Sequence, residues 1–219
     1  TPMKIREFLK YDHNRYLRGR GTEIEAEQPL YKVENQSYIH YGKGAVILYA
    51  LQDYIGEEKV NRAMQGFLEE YKYQPPPYPN SLDFMKYLEK EVPDSLQYLI
   101  TDWIKEITLY DNRVKSAAYT PLENGKFEII LEVESRKIRA DSLGNETKIA
   151  INDWIDIGVF TDEDEKQLLY QKRVLIDQEQ MSFTFEVDSL PMRAAIDPRM
   201  LLIDRIYDDN IKDVKMSEL

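Results

Sequence analysis

The first half of the chain repeats its apolar residues at intervals of three and four, which is the spacing of one helical face. Small polar residues and glycines stand where helices commonly begin and end. This pattern predicts about five helices, packed as antiparallel hairpins. The predicted N-caps are Thr1, Ser81 and Asp94, and the predicted helix ends are Gly19 with Gly21, and Gly56.

The predicted helices differ in how much of their surface is apolar. The helix that begins at about Ser37 is apolar nearly all round, which indicates a buried helix. The helix after Gly56 is expected to be amphipathic. The prolines between Gln74 and Asn80 exclude helix, because each lacks an N–H donor, and predict a stiff connector. Apolar faces are formed by Ile5, Phe8, Leu9 and Tyr16 in the first helix and by Val60, Met64, Phe67, Leu68 and Tyr71 in the helix after Gly56.

The second half of the chain changes to a period of two after Leu109, which is the period of strands. Asn124-Gly125 is a strong signal for a tight turn between two paired strands. Seven short strands separated by turn-rich acidic segments predict a β-sandwich. We therefore expect an α+β fold, with a helical domain at residues 1–111 and a β-sandwich domain at residues 112–219. The predicted strands are residues 113–120, 126–134, 148–151, 154–160, 168–176, 182–187 and 194–196.

Composition narrows the classes of function. With 219 residues, of which 42% are hydrophobic, the chain can bury a core. Its formal net charge of −11 opposes the approach of phosphate groups, so nucleic acid is not an expected partner. The absence of cysteine excludes disulfides, thiolate metal sites and cysteine nucleophiles. No apolar run approaches the roughly 20 residues of a membrane-spanning helix, and we expect the chain to be soluble.

Three groups of chemically capable residues are better explained by structure than by catalysis. His13 and His40 have no second histidine at metal-binding spacing; His13 is predicted on a polar face and His40 within a helix. The acidic residues 162–165 have no glycine-punctuated loop and indicate a solvated hairpin tip rather than a calcium site. The cluster of Arg15, Arg18 and Arg20 is predicted at a helix C-terminus, where cations offset the helix dipole.

The segment around Tyr41 is more specific, because it belongs to four ordered elements. A Tyr-x-Lys-Gly motif opens a helix, an Ile-Gly-Glu sequence ends it, an aromatic-rich helix follows, and a tryptophan comes later. In this order the elements resemble the aminopeptidase N family of zinc metallopeptidases, the gluzincin aminopeptidases. The resemblance covers roughly residues 38–103. The matching residues are Tyr41, Lys43 and Gly44; Ile55, Gly56 and Glu57; Phe67, Leu68 and Tyr71; and Trp103.

The resemblance implies a catalytic role for Tyr41. In the family, the tyrosine of this motif donates its phenolic hydrogen to the oxyanion that forms when zinc-bound water attacks the scissile carbonyl. The resemblance also implies a peptide substrate and zinc as the cofactor of the parent enzyme. Lys43 and Gly44 are interpreted as setting helix geometry, with Gly44 letting another backbone approach closely. Without the resemblance, Tyr41 would be one of 16 tyrosines, packed in a helix.

The sequence also departs from the family pattern. The His-Glu-x-x-His helix, the downstream glutamate ligand and the glycine-rich motif that holds the substrate amine are not in this sequence. We therefore expect the chain to be the C-terminal part of a longer enzyme, whose upstream catalytic segment is missing here. We expect the chain alone to be inactive and to bind no stoichiometric zinc. The sequence identifies no substrate-binding residue.

The last part of the chain carries a further resemblance. Tyr110-Asp111-Asn112 and the β-rich stretch after it resemble the β-sandwich that follows the catalytic domain in this family. Asp197-Pro198 and Asp204-Arg205 resemble bacterial members whose peptidase part is fused to a multi-spanning transporter permease. This resemblance implies a membrane-associated parent.

A second interpretation is a non-catalytic module that binds a protein or a peptide. Its support is the high tyrosine content and the proline run from Pro75 to Pro79, since both features are common at recognition surfaces. A His-Glu-x-x-His helix upstream in the reading frame would favour the enzyme. A start codon just before Thr1 would favour the module.

Overall fold

The computed structural model describes residues 2–217, which fold into two compact units. The helical unit consists of Tyr11–Thr108 and Arg139–Glu146, and the β unit of the remaining described residues. The predicted division into domains at residues 111 and 112 stays a prediction.

Five α-helices lie in the first half of the described residues, as the apolar spacing predicts. Short 3-10 and π-helical segments continue or connect them. The helices are α1 (Pro2–Thr22), α2 (Gly44–Ile55), α3 (Glu57–Tyr71), α4 (Ser81–Glu91) and α5 (Gln97–Leu99). The 3-10 segments are Leu30–Lys32 and Asp94–Leu96, and the π-helical segments are Tyr38–Lys43 and Ile100–Lys105.

The ends of the helices agree with the prediction only in part. Gly56 ends α2 with a φ of 96°, a backbone conformation that favours glycine, and this prediction is confirmed. The predicted end at Gly19 and Gly21 is wrong, because α1 continues to Thr22. A Cβ at Gly19 would clash with the side chain of Tyr38, so this glycine serves close packing rather than helix termination.

The predicted N-cap Ser81 is wrong by one residue. Asn80 is the N-cap of α4: its side chain accepts a hydrogen bond from the N–H of Leu82 at 2.9 Å. The Asp83 carboxylate accepts in turn from the Asn80 N–H at 3.0 Å, which completes a capping box. Ser81 instead donates its hydroxyl to the carbonyl oxygen of Tyr31.

The two other predicted N-caps have different outcomes. Asp94 is not an N-cap, because it is itself the first residue of a 3-10 turn that follows Pro93. The ring of Pro93 fixes its φ, which is −58°, and the chain enters the 3-10 turn without a side-chain cap. The predicted N-cap Thr1 lies outside the described residues.

Burial of the helices follows their apolar patterns. Helix α2 is buried over most of its surface, which confirms the prediction. Helix α3 is amphipathic, but its apolar face is only partly covered: Val60 and Ala63 are buried, whereas Leu68 is 60% exposed. Phe8 of α1 is also exposed, although its spacing placed it on the buried face. None of the described helices is both long and apolar enough to span a membrane.

Two mostly antiparallel β-sheets form a sandwich-like arrangement in the second half of the described residues. One sheet has the order β3-β2-β1-β9, with β6 also paired to β2, and the other has the order β5-β4-β7-β8. The fold is therefore α+β, as predicted. The strands are β1 (Ile107–Pro121), β2 (Phe127–Ala140), β3 (Glu146–Ile149), β4 (Asp153–Phe160), β5 (Leu168–Ile176), β6 (Gln180–Val187), β7 (Arg193–Ile196), β8 (Ile211–Asp213) and β9 (Lys215–Met216).

The seven predicted strands correspond to β1 through β7. The predicted turn between β1 and β2 is confirmed: Gly125 has a φ of 81°, and its N–H donates to the carbonyl of Leu122 at 3.0 Å. Strands β8 and β9 were not predicted, because they are short and lack an apolar alternation. Strand β9 pairs in parallel with β1.

The closest backbone packing in front of α2 occurs at Gly42. A Cβ at Gly42 would lie 3.1 Å from the carbonyl oxygen of Asp12 and 3.2 Å from the backbone nitrogen of Tyr16, both on α1. A Cβ at Gly44 would have no neighbour closer than 3.6 Å, which is ordinary contact. The expectation that Gly44 lets a backbone approach closely is therefore wrong. The close approach belongs to Gly42.

We predict opposite effects for alanine at these two glycines. Gly42→Ala forces a methyl group against the backbone of α1, which cannot rotate away, and should lower the free energy of unfolding by about 1–3 kcal/mol. Gly44→Ala is the matched control, because it adds helix propensity without a clash and should raise that free energy by up to about 1 kcal/mol. Urea denaturation of both variants measures the difference. Equal effects at the two positions would contradict the packing described.

Candidate functional site

Tyr41 lies on the π-helical segment Tyr38–Lys43, directly before α2. Gly42 and Lys43, which follow it, are buried and His40, which precedes it, is half-buried, whereas the Tyr41 side chain is 60% exposed. π-Helical turns are rare and occur frequently at functional sites, where they change the direction of a side chain. The segment therefore presents one phenol to the surface from an otherwise buried backbone.

The Tyr41 ring contacts two side chains of the helical unit. The His40 ring packs against it edge-on, with 4.5 Å between the ring centroids. The guanidinium carbon of Arg15, on α1, lies 5.0 Å from the centroid of the Tyr41 ring. A cation over an aromatic ring at this distance is attracted by the electrons of the ring face. The phenol thus has a cationic and an aromatic neighbour.

Lys43 is a buried cation, with only 1% of its surface exposed. Its Nζ donates to the carbonyl oxygen of Glu106 at 3.3 Å and lies 5.7 Å from the centroid of the Tyr16 ring. Burial lowers the pKa of Lys43 from 10.5 to about 8, and the nearby Glu27 carboxylate opposes part of this shift. The interpretation that Lys43 sets helix geometry rather than chemistry is consistent with these contacts.

Glu27 is the carboxylate that balances the buried charge around Lys43. It is 4% exposed and accepts hydrogen bonds from the Tyr16 hydroxyl and from Nε of Arg20, the latter at 2.8 Å. Burial, reinforced by the Glu27 carboxylate, raises the pKa of Tyr16 well above its ordinary value. Arg20 also donates to Glu146 at 3.2 Å. This network links α1 to the acidic segment that follows it.

An apolar cavity of about 170 Å³ lies beside this segment, within the helical unit. Its polar lining residues are His40, Tyr31 and Ser81. A cavity of roughly 150 Å³ with aliphatic and aromatic walls can hold a benzene-sized group. The cavity therefore has room for one apolar side chain. Its apolar wall is formed by Leu30, Leu48, Phe84, Met85, Leu88 and Ile104.

The two histidines do not form a metal site. The prediction that His13 lies on a polar face is wrong, because His13 is fully buried; His40 is half-buried within a helix, as predicted. Between residues 2 and 217, no group of three or more histidine, aspartate or glutamate side chains could hold a metal ion. The described residues therefore do not fit a zinc centre.

Comparison with known proteins gives a distant relationship. The "Probable aminopeptidase 1" of Saccharolobus solfataricus is 27% identical to the chain, over 52% of the chain and 17% of the relative. The "Probable aminopeptidase 2" of Sulfurisphaera tokodaii is 36% identical over 30% of the chain and 8% of the relative. No family model matches the chain. The chain is distantly similar to aminopeptidases.

The match covers less than a fifth of the length of either of these relatives. Among solved structures, an aminopeptidase A of Legionella pneumophila in complex with aspartic acid has a TM-score of 0.44 and 17% identity. That comparison covers 84% of this chain and 18% of the other. The sequence relatives alone therefore support the similarity to aminopeptidases.

Phe67 and Trp103, which also match aminopeptidase elements, pack within the helical unit. Phe67 contacts the ring of Tyr71 at 5.1 Å and that of Phe84 at 5.6 Å, and the second contact joins α3 to α4. Trp103 is buried and packs edge-on against Tyr54, with 5.1 Å between ring centroids. These aromatic contacts stabilise the helical unit.

The arginine cluster agrees with the prediction only in part. Arg20 lies in the last turn of α1, as predicted, and is also bound by Glu27. Arg18 is exposed and lies just before that turn. Arg15 lies roughly two helical turns before Thr22, beyond the reach of the helix dipole. The dipole explanation is therefore wrong for Arg15, whose contact is Tyr41.

The acidic tip at residues 162–165 belongs to the β unit. Glu163 and Asp164 are exposed, as predicted for a solvated tip. The prediction is wrong for Glu165, which forms ion pairs with Arg6 and Arg193. Asp162 is partly buried, and its carboxylate accepts hydrogen bonds from the N–H groups of Lys166 and Gln167. The tip is therefore exposed only at Glu163 and Asp164.

Asp197 and Asp204 are buried in the β unit, and their carboxylates bind backbone N–H groups. Asp197 accepts hydrogen bonds from the N–H groups of Leu201 and Leu202, each at 2.9 Å, and Asp204 accepts from the N–H of Asn112 at 2.9 Å. Burial raises the pKa of Asp197 to about 6 and that of Asp204 to about 7, against these hydrogen bonds. Both aspartates stabilise the path of the chain after β7.

Two residues of the site were not identified from the sequence. Glu27 is one of several glutamates in an acidic stretch, and no local pattern distinguishes it from its neighbours. Arg15 was assigned to the helix end. Asp12 and Tyr16 of α1 contact Gly42. Helical spacing places Arg15 on the same face of α1, and this spacing is the feature that could have indicated its contact with the motif.

Lys43→Met tests the buried cation. Between the folded pKa of about 8 and the ordinary value of 10.5, Lys43 binds more protons in the unfolded chain than in the folded one. Its contribution to the free energy of unfolding of the wild type therefore rises with pH in this window. The variant lacks this rise. We predict that the stability of Lys43→Met relative to wild type falls by about 2–3 kcal/mol between pH 7 and pH 10.

Urea denaturation at both pH values measures this change, and Lys72→Met, at an exposed lysine, is the matched control. The control should show no comparable change between pH 7 and pH 10. A pH-independent difference between Lys43→Met and wild type would contradict the burial of a shifted amine.

Proposed function

We propose that this chain is the C-terminal part of a zinc-dependent aminopeptidase of the aminopeptidase N type. In this proposal the helical unit forms one wall of the cleft that binds a peptide, and Tyr41 is the group that stabilises the oxyanion. The observation that carries the proposal is the exposed phenol of Tyr41 on a buried π-helical turn. The similarity to two probable aminopeptidases supports the reaction class.

A hydrogen-bond donor at the scissile carbonyl accelerates peptide hydrolysis. When a nucleophile adds to the carbonyl carbon, the carbonyl oxygen gains negative charge, and a positioned O–H donor stabilises this oxyanion more than the neutral ground state. A tyrosine hydroxyl suits this task, because it is an uncharged donor on a rigid ring. The buried neighbours Gly42 and Lys43 fix the backbone that carries the ring.

Zinc is implied by the family resemblance alone. The described residues do not fit a zinc site. The curated relatives are several times longer than the region that matches them, which leaves room for metal ligands elsewhere in such proteins. In the proposal, those ligands belong to a segment other than this chain.

The finer assignment is to bacterial members fused to a transporter permease, with a membrane-associated parent. Its support is the resemblance of Asp197-Pro198 and Asp204-Arg205 alone. Because both aspartates are buried and bind backbone N–H groups, they would serve the fold of the β unit rather than the reaction.

Tyr41→Phe in the complete gene product that carries this chain tests the proposed role. Loss of one oxyanion donor typically lowers kcat by about 10²–10³-fold. We predict a loss of this size with an aminoacyl-anilide substrate and little change in KM, because the hydrogen bond forms chiefly in the transition state.

Tyr78→Phe is the matched control, since Tyr78 is a similarly exposed tyrosine of the helical unit. It should keep wild-type kcat. The proposal is contradicted if Tyr41→Phe retains activity within about threefold of wild type while the complete gene product is an active peptidase.

The chain alone gives a second test. We predict that the 219-residue chain hydrolyses no aminoacyl-anilide and binds no stoichiometric zinc after purification with added zinc. Metal analysis by mass spectrometry and an anilide assay measure both quantities. A stoichiometric zinc ion with peptidase activity would overturn the assignment of the metal ligands to another segment.

A peptide-binding module is the second candidate function, and the apolar cavity of about 170 Å³ favours it. In that case the cavity takes an apolar side chain of a peptide without any reaction. A complete gene product that binds such a peptide, and is inactive with every aminoacyl-anilide, would favour the module over the enzyme.

A further inference from the structure

Arg15 is an exposed arginine on α1 whose one described contact is the ring of Tyr41. No carboxylate within residues 2–217 forms an ion pair with its guanidinium. Burial raises the pKa of Asp12, one turn earlier on the helix, and the positive charge of Arg15 opposes this rise. The guanidinium is therefore stacked on the tyrosine, with the Asp12 carboxylate within electrostatic reach but not ion-paired to it.

The pairing of Arg15 differs from that of Arg20 on the same helix. Arg20 forms ion pairs with Glu27 and Glu146. Arg15 is instead stacked on the tyrosine of the Tyr-x-Lys-Gly motif. The chain has other cation–π contacts, but this one involves the proposed oxyanion donor.

A cation beside a phenol has a direct effect on a hydrogen bond that the phenol donates. The guanidinium carbon of Arg15 lies 5.0 Å from the centroid of the Tyr41 ring. A positive charge beside the ring strengthens the hydrogen bond that the hydroxyl donates as negative charge develops on the acceptor. At an exposed site, solvent weakens this attraction, and a cation–π contact adds a comparable stabilisation of the ring position. The two effects together correspond to roughly a tenfold change in rate.

We propose that Arg15 is a positioning residue for Tyr41: its guanidinium holds the phenol ring in the orientation that donates to the oxyanion and supplies positive charge beside it. This inference rests on the proposed function of Tyr41. It assigns the first helix of the chain, α1, to the catalytic site, although α1 lies outside the segment that resembles the aminopeptidase N family.

A double-mutant cycle in the complete gene product tests the proposal. The variants are Arg15→Met, Tyr41→Phe and the combination of both, with Arg15→Lys as the conservative variant and Arg18→Met as the matched control. Arg18 is one turn away on α1 and is exposed, and no described aromatic ring stacks on it. Thermal melts confirm that each variant is folded, and Arg15→Gln provides a second neutral replacement.

Arg15→Met and Arg15→Gln are expected to lower kcat about tenfold with KM unchanged. Arg15→Lys recovers part of the loss, because it keeps the charge but not the planar stack on the ring, and Arg18→Met stays within twofold of wild type. In the Tyr41→Phe background, Arg15→Met causes no further loss, because Arg15 acts through the phenol. A merely structural arginine would not give this dependence on Tyr41.

The outcomes separate this inference from the proposed function. Normal activity of Arg15→Met, or an equal loss in the presence and absence of the Tyr41 hydroxyl, would overturn the role of Arg15 while leaving that of Tyr41 intact. An equal loss would mean that Arg15 contacts the substrate directly. Full activity of Tyr41→Phe would overturn both proposals.

Discussion

The close contact of Gly42 with the backbone of α1 is the constraint on which the candidate site depends. It lets two helical segments approach without a side chain between them, and it brings Lys43 into the interior beside Glu27. A buried cation is tolerated only where a carboxylate and hydrogen-bond acceptors compensate the loss of water. Glu27 and the carbonyl of Glu106 provide this compensation. With both neighbours fixed in the interior, Tyr41 is the residue of the turn that faces outward.

This arrangement explains how a small motif can build a site. The glycine sets the distance to α1, the lysine anchors the turn, and the tyrosine is left free to donate a hydrogen bond. Because α1 also carries Arg15, the helix that packs against the motif contributes charge as well as support. The β unit has its own buried carboxylates, which bind backbone N–H groups and so stabilise the fold of that unit.

Sequence patterns predicted the α+β class, the number of helices and seven of the strands, because long periodic segments specify their own secondary structure. They failed where a tertiary contact decides the outcome. Gly19 resembles a helix end, yet it makes room for Tyr38. His13 has polar neighbours in sequence but is buried, and the short polar strand β9 forms because β1 offers an edge to pair with. Tyr41 was identified by resemblance, whereas its contact with Arg15 depends on how α1 packs.

The proposed role of Tyr41 requires its hydroxyl to face the oxyanion of a peptide-cleaving site. A crystal structure of the complete gene product with a phosphonic analogue of the tetrahedral intermediate gives the distance from Tyr41 Oη to the anionic oxygen of the analogue. We expect a hydrogen bond of about 2.5–3.0 Å. A phenol that is turned away from the bound analogue, separated from its anionic oxygen by more than about 4 Å with no bridging water, would contradict it.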